Sequence, residues 1–557
     1  MSYQSIGFLL FSAVVILLYY LLGRKLQRWV LAAANLAFYV LAGVQYLPFL
    51  LTTMLVTYAM GRVMNGIYER SDAALAACSS TAEKKQVKAD AKKKAKRTLQ
   101  IGLLVTIALL VVCKYTEFIL TSVNALLTPL GIPQIPVFRM ILPLGISFYS
   151  FMALSYVLDV YWKRYPAEKS FLTYAVYLSY FPHVVQGPID RFGEFREQIR
   201  EGVVFDTKNL AFGSELVIWG LFKKLVIADR LNLFVSHVFD HWSECSSLIL
   251  FLGVMVYSVQ IYADFSGCID IVTGVSEMFG IRLRKNFNHP YFSKTMAEFW
   301  RRWHISLQEW FKDYVYYPVF SSNRMRKVKK CLNEKGKKRA ADLFSSCYPI
   351  LVVWLITGIW HGASWNFVLW GIFHAVLLIG SQVLEPVFSK ALTALHINVK
   401  SRLWQLWQMV RTFLLCGLGR IFFRSPDIGS AFGYLGRIFA HPFGKTALNP
   451  ELIAEAHTAL GTLSQHSLGG FARSVLRLVN IDIGYGITLA NVLMSLVAIL
   501  VLWIVDVMQE KQPLREALSH KKLVIRWLVI LIGIFAVIIF GIYGPGYNAS
   551  AFIYEKF

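Results

Sequence analysis

Apolar runs alternate with short polar stretches along almost the whole chain. The runs are about 18–25 residues long, the length an α-helix needs to cross hydrocarbon. Three of them open the protein, at residues 6–22, 29–44 and 47–64. Others follow at 99–120, 140–161, 210–228 and 248–272, and later at 366–384, 404–423, 487–507 and 524–542. Another re-enters from Cys347, and the stretch from Pro349 to His361 rises roughly 18 Å along a helix. Residues 171–185 are apolar but carry Pro182 and His183, with Gly187 and Pro188 just beyond, so they read as a broken or re-entrant helix lining a cavity. Residues 296–320 are amphipathic and aromatic, the pattern of an interfacial or partly buried helix. Residues 440–485 are mixed and polar and read as a loop-rich insertion. The expected fold is all-α: one polytopic integral membrane domain over 1–557, with roughly 11–13 transmembrane or re-entrant helices. No internal repeat is evident, so the symmetry that marks many secondary transporters is missing.

Composition strengthens this reading. The chain is 56% hydrophobic, whereas soluble domains are roughly 45–50% apolar. Lys and Arg number 57 against 33 Asp and Glu, a net charge of +24. Such a balance can mean nucleic acid. Here the basic residues sit between apolar runs, the positive-inside pattern, and no nucleic-acid partner is expected. Residues 67–97, with a dense run from Lys84 to Arg97, and residues 322–345 are expected as basic cytoplasmic loops. The first reads as a solvated helical hairpin extension, with anionic membrane lipid as an alternative contact. Three crossings from an outside N-terminus end at it, so span count and charge agree. The first run lacks a basic lead and a small-residue cleavage site and reads as an anchor. Seven cysteines show no C-x-x-C pair and no zinc spacing, so neither a metal nor a disulfide framework is expected.

Two Trp-His dipeptides, Trp303-His304 and Trp360-His361, carry the candidate chemistry. Imidazole titrates near neutrality and can take a proton from an alcohol and return it. Ionisable groups at membrane depth usually face a cavity and serve a function. The plain alternative for His361 is a core histidine bonded to a carbonyl. His304 follows Arg301 and Arg302 and has an interfacial structural alternative. Asp264 either orients a histidine or binds substrate, or else pairs with a buried arginine. Asn366 either acts directly or cross-links helices. His183 reads as a helix-break residue lining the cavity, and His374 as packing.

Six stretches occur in order: QGPIDRF (186–192), QIYADFSGCIDI (260–271), FWRRWHISLQEWFKDYVYYP (299–318), TGIWHGASWNFVLWGIFHA (357–375), RIFFRSPDIGSAFGYLGRIF (420–439) and FIYEKF (552–557). Together they resemble the membrane-bound O-acyltransferase superfamily, in the bacterial branch of alginate O-acetyltransferases and the D-alanyl transfer protein of teichoic acid modification. The resemblance implies a central funnel or tunnel through the membrane with a histidine at its narrow point. His361 matches the family's essential histidine and His304 its other signature histidine. An acyl thioester, acetyl-CoA or another, would approach from the cytoplasm, and no tightly bound cofactor is implied. The acceptor would be a hydroxyl of a cell-surface polysaccharide, reached directly or through an extracytoplasmic acyltransferase- or esterase-like partner. D-alanyl transfer from a carrier protein to teichoic acid is the alternative within the class, and a transporter or flippase the alternative outside it. The implied location is the bacterial cytoplasmic membrane, multi-pass, with the N-terminus outside.

The residue chemistry agrees. A neutral imidazole at His361 can act as general base while the ester C–O bond forms. The oxyanion then needs donors, for which His304, the backbone near Gly362 and Asn366 are candidates. Arg301 and Arg302 would attract donor phosphates or lipid headgroups. Two departures stand out. Arg420 replaces an aromatic residue often seen in this branch, and Glu555-Lys556 replaces a more aromatic or polar pair.

Overall fold

The computed structural model describes residues 2–440 and 487–543. The insertion expected at 440–485 lies, past its first residue, outside the described residues, as does the terminal motif at 552–557. Eight helices among the described residues are long and apolar enough to cross a membrane. The protein is all-α and spans the membrane many times, as its hydropathy predicts. Among the described residues the β-structure pairing is slight, with one isolated antiparallel bridge between Phe287 and Trp303.

The N-terminal helices are α1 (Ile6–Leu21), α2 (Gln27–Ala42), α3 (Leu47–Ala77) and α4 (Thr81–Leu127). Two of them outrun their apolar cores. α3 and α4 continue through the basic stretch at 67–97, which forms the helical hairpin extension expected there. A reciprocal capping box between Ser80 and Glu83 starts its second arm. The return span expected from residue 140 begins later, as α5 (Ile146–Tyr161), because Pro143 and left-handed Gly145 interrupt a helical path before it.

α6 (Phe171–Ser179) breaks where Pro182 predicted, and a turn leads to α7 (Phe192–Arg200). α8 (Thr207–Leu221) runs through a π-helical segment (Phe222–Ala228) into α9 (Asp229–Asp240) without interruption. α10 (Ser247–Met278) is the buried axis of the molecule. It crosses α8 closely at Gly220 and Gly267. A Cβ on Gly267 would lie 2.9 Å from the Gly220 carbonyl oxygen, so a side chain there would force the helices apart.

The amphipathic helix expected over 296–320 is instead broken. It comprises α11 (Met296–Arg302), α12 (Ile305–Phe311), a π turn (Lys312–Tyr316) and α13 (Tyr317–Phe320). Its aromatic face is not interfacial: Trp300, Trp303, Trp310 and Phe311 are buried. The basic stretch at 322–345 is also helical, as α14 (Asn323–Glu334) and the start of α15 (Lys338–His361). α16 (Trp365–Val383), α17 (Glu385–Ala394), α18 (Arg402–Arg424) and α19 (Ile428–Ala440) follow. After the undescribed segment come α20 (Leu489–Lys511), α21 (Leu514–Ser519) and α22 (Leu523–Phe540). None of the α22 residues is buried, and its side chains are almost all apolar, as a lipid-facing helix requires.

Two hydrophobic cores result. One is built mainly from α1–α7 and the later part of α10 (Cys268, Ile271, Val272, Val275), with Trp310, Phe311 and Trp360. The other contains Trp300, Trp303, Trp354, Trp370 and Phe423 around α10. Each Trp-His motif lies at the seam between them.

Candidate active site

His361 ends α15 and is 3% exposed. Its ring stands edge-on to Trp370 at 4.8 Å and to Phe423 at 5.4 Å, with Trp360 at 4.8 Å. The chain then turns sharply into α16. Gly362 permits this turn, because a Cβ there would lie 2.2 Å from the Phe367 ring. The last carbonyls of a helix have no partner within it. α4 supplies two. Lys114 Nζ donates to the Trp360 oxygen at 2.6 Å, and the Tyr115 hydroxyl donates to the Ile359 oxygen at 2.9 Å. A lysine amine thus caps the carbonyl end of α15, beside His361. Sequence reasoning missed Lys114, although a basic residue inside the apolar run at 99–120 was a signal for it.

His304 is reached from the other direction. Its backbone is left-handed at φ 49° and ψ 51°, an uncommon conformation for a non-glycine residue. Pairing on both sides holds it there: the Ile305 amide donates to the Asn286 oxygen, and the Asn288 amide to the Arg302 oxygen, each at 2.9 Å. The ring is 1% exposed and packs edge-on to Phe265 of α10 at 4.8 Å. It also lies 6.1 Å from the Trp360 ring, so the two Trp-His motifs meet on one indole.

Asn286 fixes the His304 tautomer. Its side-chain oxygen accepts from the Ser306 amide at 3.2 Å and the Ser306 hydroxyl at 2.9 Å, and it lies 3.1 Å from His304 Nδ1. An acceptor in that position assigns the proton to Nδ1 and makes Nε2 of the neutral ring an acceptor. In this form Nε2 can accept a hydrogen bond from a hydroxyl and has no proton to give an oxyanion. The Ser306 hydroxyl also accepts from the Ile189 amide at 3.0 Å, which ties the QGPIDRF segment to His304. Neither Asn286 nor Ser306 stood out in the sequence, since short polar residues near a break usually serve turns.

The comparisons with known proteins point the same way. The model of the membrane-bound O-acyltransferase family matches residues 163–333. A protein of Azotobacter vinelandii described as probable alginate O-acetylase is 30% identical over 450 residues, covering 81% of this chain and 80% of that one. The chain belongs to the membrane-bound O-acyltransferase family. A Helicobacter pylori peptidoglycan O-acetyltransferase is 29% identical over 427 residues, 72% of this chain and 71% of its own. A Bacillus subtilis teichoic acid D-alanyltransferase is 28% identical over 251 residues, 44% of this chain and 60% of its own. The protein is an O-acyltransferase of the membrane.

The remaining candidates separate within this acyltransferase. Asp264 is paired, but with lysine rather than arginine: Lys224 Nζ bridges it at 2.7 Å and Asp229 at 2.9 Å. Neighbouring Lys223 pairs with Asp270 at 2.6 Å and donates to Ser266 at 2.9 Å. Asn366 cross-links helices, donating to the Ser425 oxygen at 2.8 Å. His183 is 1% exposed, with Nδ1 3.1 Å from Asp190. Arg302 is held by Glu298 at 3.0 Å and by Glu510. It borders a charged cleft of about 330 Å³ that also holds Lys294 and Lys511. Arg301 is exposed and outside that cleft. A cavity of about 610 Å³ between α1, α8 and α10 is apolar, and no histidine lines it. It suits hydrocarbon, not catalysis.

Proposed function

We propose that the enzyme transfers an acyl group, acetyl in the first instance, from a cytoplasmic thioester to a hydroxyl of a cell-surface polysaccharide. His361 acts as general base. The observation that carries this reading is the convergence of His361 and His304 on Trp360, at the seam of the two cores. Two buried imidazoles with aromatic walls make a dry site for moving one proton.

In this mechanism the hydroxyl docks against the Nε2 acceptor of His304 or directly against His361. His361 takes its proton as the oxygen bonds to the thioester carbon. The oxyanion collapses, the C–S bond breaks, and the proton passes from His361 to the leaving thiolate. Lys114 keeps the end of α15 in place while the charge moves. The thiolate leaves readily, so no acyl-enzyme is required. Coenzyme A or a carrier arm would present its phosphates to the cleft beside Lys294 and Arg302.

Acetyl is preferred to D-alanyl because the alginate O-acetylase match spans 81% of the chain and the D-alanyltransferase match 44%. The setting proposed is a bacterial cytoplasmic membrane, N-terminus outside, with an extracytoplasmic acyltransferase- or esterase-like partner able to relay the group. The test is the ester-linked acyl content of surface polymers in a deletion strain restored with wild type or His361→Ala. Acetate with the first and none with the second is expected; D-alanine in that pattern moves the acyl assignment. Equal ester in both strains, with both proteins in the membrane, sinks the base and favours transport.

A further inference from the structure

Arg420 is left unused by this mechanism. It lies one turn before the end of α18 and is 5% exposed. It lines a cavity of about 20 Å³ with Trp300, Trp303, Trp370, His374 and Phe423. Among the described residues it forms no ion pair, and its Nη1 has no hydrogen-bond partner. Its guanidinium hydrogen-bonds the Tyr291 side chain and faces the rings of Tyr291, Phe299 and Trp303 at 5.5, 5.8 and 5.4 Å. Such contacts recover only part of the desolvation penalty of a buried cation. The buried lysines next to α10 show how this protein otherwise treats a charge, since each has a carboxylate.

Two more polar atoms on the cavity wall, Trp300 Nε1 and His374 Nδ1, also lack a partner among the described residues. Three such atoms on residues around one cavity, one of them cationic, can receive a small anionic acceptor. The guanidinium fork suits a carboxylate. A cavity of about 20 Å³ takes one small group and is too tight for a phosphate ester. It is also close to the proposed base. Trp370 and Phe423 form its wall and pack on His361 at 4.8 and 5.4 Å.

We propose that Arg420, Trp300 and His374 form a receiving site for a carboxylate carried by one of the two substrates that react at His361. The inference rests on the reading of His361 as the centre of transfer. The carboxylate has two possible sources. It is either the far end of a dicarboxylic acyl group, such as a succinyl half-thioester, or the acid group of a uronate sugar in the acceptor. In both cases the carboxylate is bound and not consumed, and the bonds made and broken are those of the transfer itself.

The test compares wild type, Arg420→Gln, Arg420→Lys and His361→Ala in the deletion strain, with base-released acids identified and counted per polymer. If the acyl group carries the carboxylate, wild type releases a diacid and Arg420→Gln releases at least about tenfold less of it, while acetate is undiminished. If the acceptor carries it, Arg420→Gln lowers acylation of native polymer by about tenfold. In that case membranes of both proteins acylate carboxyl-reduced polymer equally. Arg420→Lys falls between in either case. Wild-type amount and identity of ester with Arg420→Gln, beside an inactive His361→Ala, overturn the pocket alone. Full ester with His361→Ala overturns the base and, with it, the placement of this pocket beside a reacting centre. Should the Arg420 variants not accumulate, the detergent-purified wild type is heated with succinate and with neutral succinamide. A rise in melting temperature with succinate alone supports the site, and identical melting overturns it.

Discussion

The two sides of α10 both meet buried polar groups and treat them differently. Asp264 points to one face, where Lys224 and Lys223 pair with Asp264, Asp229 and Asp270. Phe265, the next residue, points to the other and packs on His304. The first face is a layer of charges tied to opposite charges, lying partly on a π-helical segment. The second presents imidazoles walled by indole and phenyl rings, with Arg420 nearby facing rings and no carboxylate among the described residues. Burial in a membrane therefore does not by itself mark a reacting group. Balanced charges hold helices together, whereas neutral titratable rings at a seam are poised to move a proton.

Substitutions can break or sharpen this contrast. His361→Ala should lower transfer by about 10²–10⁴-fold, the range a general base contributes, while the protein remains folded in the membrane. Lys224→Met should do the opposite. It leaves Asp264 and Asp229 without their shared cation, which should destabilise the fold by about 3–5 kcal/mol. Its melting temperature in detergent should fall, while transfer per folded molecule is kept. A Lys224→Met protein that melts normally and fails to transfer would move the charged layer to the catalytic side.

Smaller effects grade the second face. Asn286→Ala releases the His304 ring and should lower transfer by about 10²-fold, the scale of a misplaced catalytic group. The melting temperature should move less than with Lys224→Met. Lys114→Met leaves the Trp360 carbonyl without its donor, for about 1–3 kcal/mol. Melting and transfer should fall together, and recovery of both with Arg in place of Met would show that the contact is a charged cap. Asn366→Ala removes one bond to the Ser425 oxygen and should cost about 1 kcal/mol, with transfer nearly unchanged. A large loss of transfer with normal melting would return Asn366 to the oxyanion.

Much of this protein was legible from its chain. The spans at 6–22, 366–384 and 404–423 match α1, α16 and α18 to within two residues at each end. The broken helix at Pro182 and the helical hairpin of the basic stretch were legible too. The aromatic segment at 296–320 misled, because amphipathicity looks alike at an interface and against a core. Its break at His304 depends on pairing with Asn286 and Asn288, residues that no periodicity connects to it. Asp264 was open between substrate and ion pair, since the sequence does not show which cation faces it.

What the sequence determined by itself is the membrane, the place of many of its apolar helices, and the two histidines that deserve mutation. These follow from hydropathy, charge and proline, which act within a few residues of where they stand. Only the tertiary structure decided which polar groups meet. It set His304 and His361 on one indole, placed Lys114 on the last carbonyl of α15, gave Asp264 its lysine, and left Arg420 facing rings. Each of these pairings joins distant segments, and in hydrocarbon every unmet charge or carbonyl is expensive. Function there is settled by which partners the packing of helices supplies or withholds.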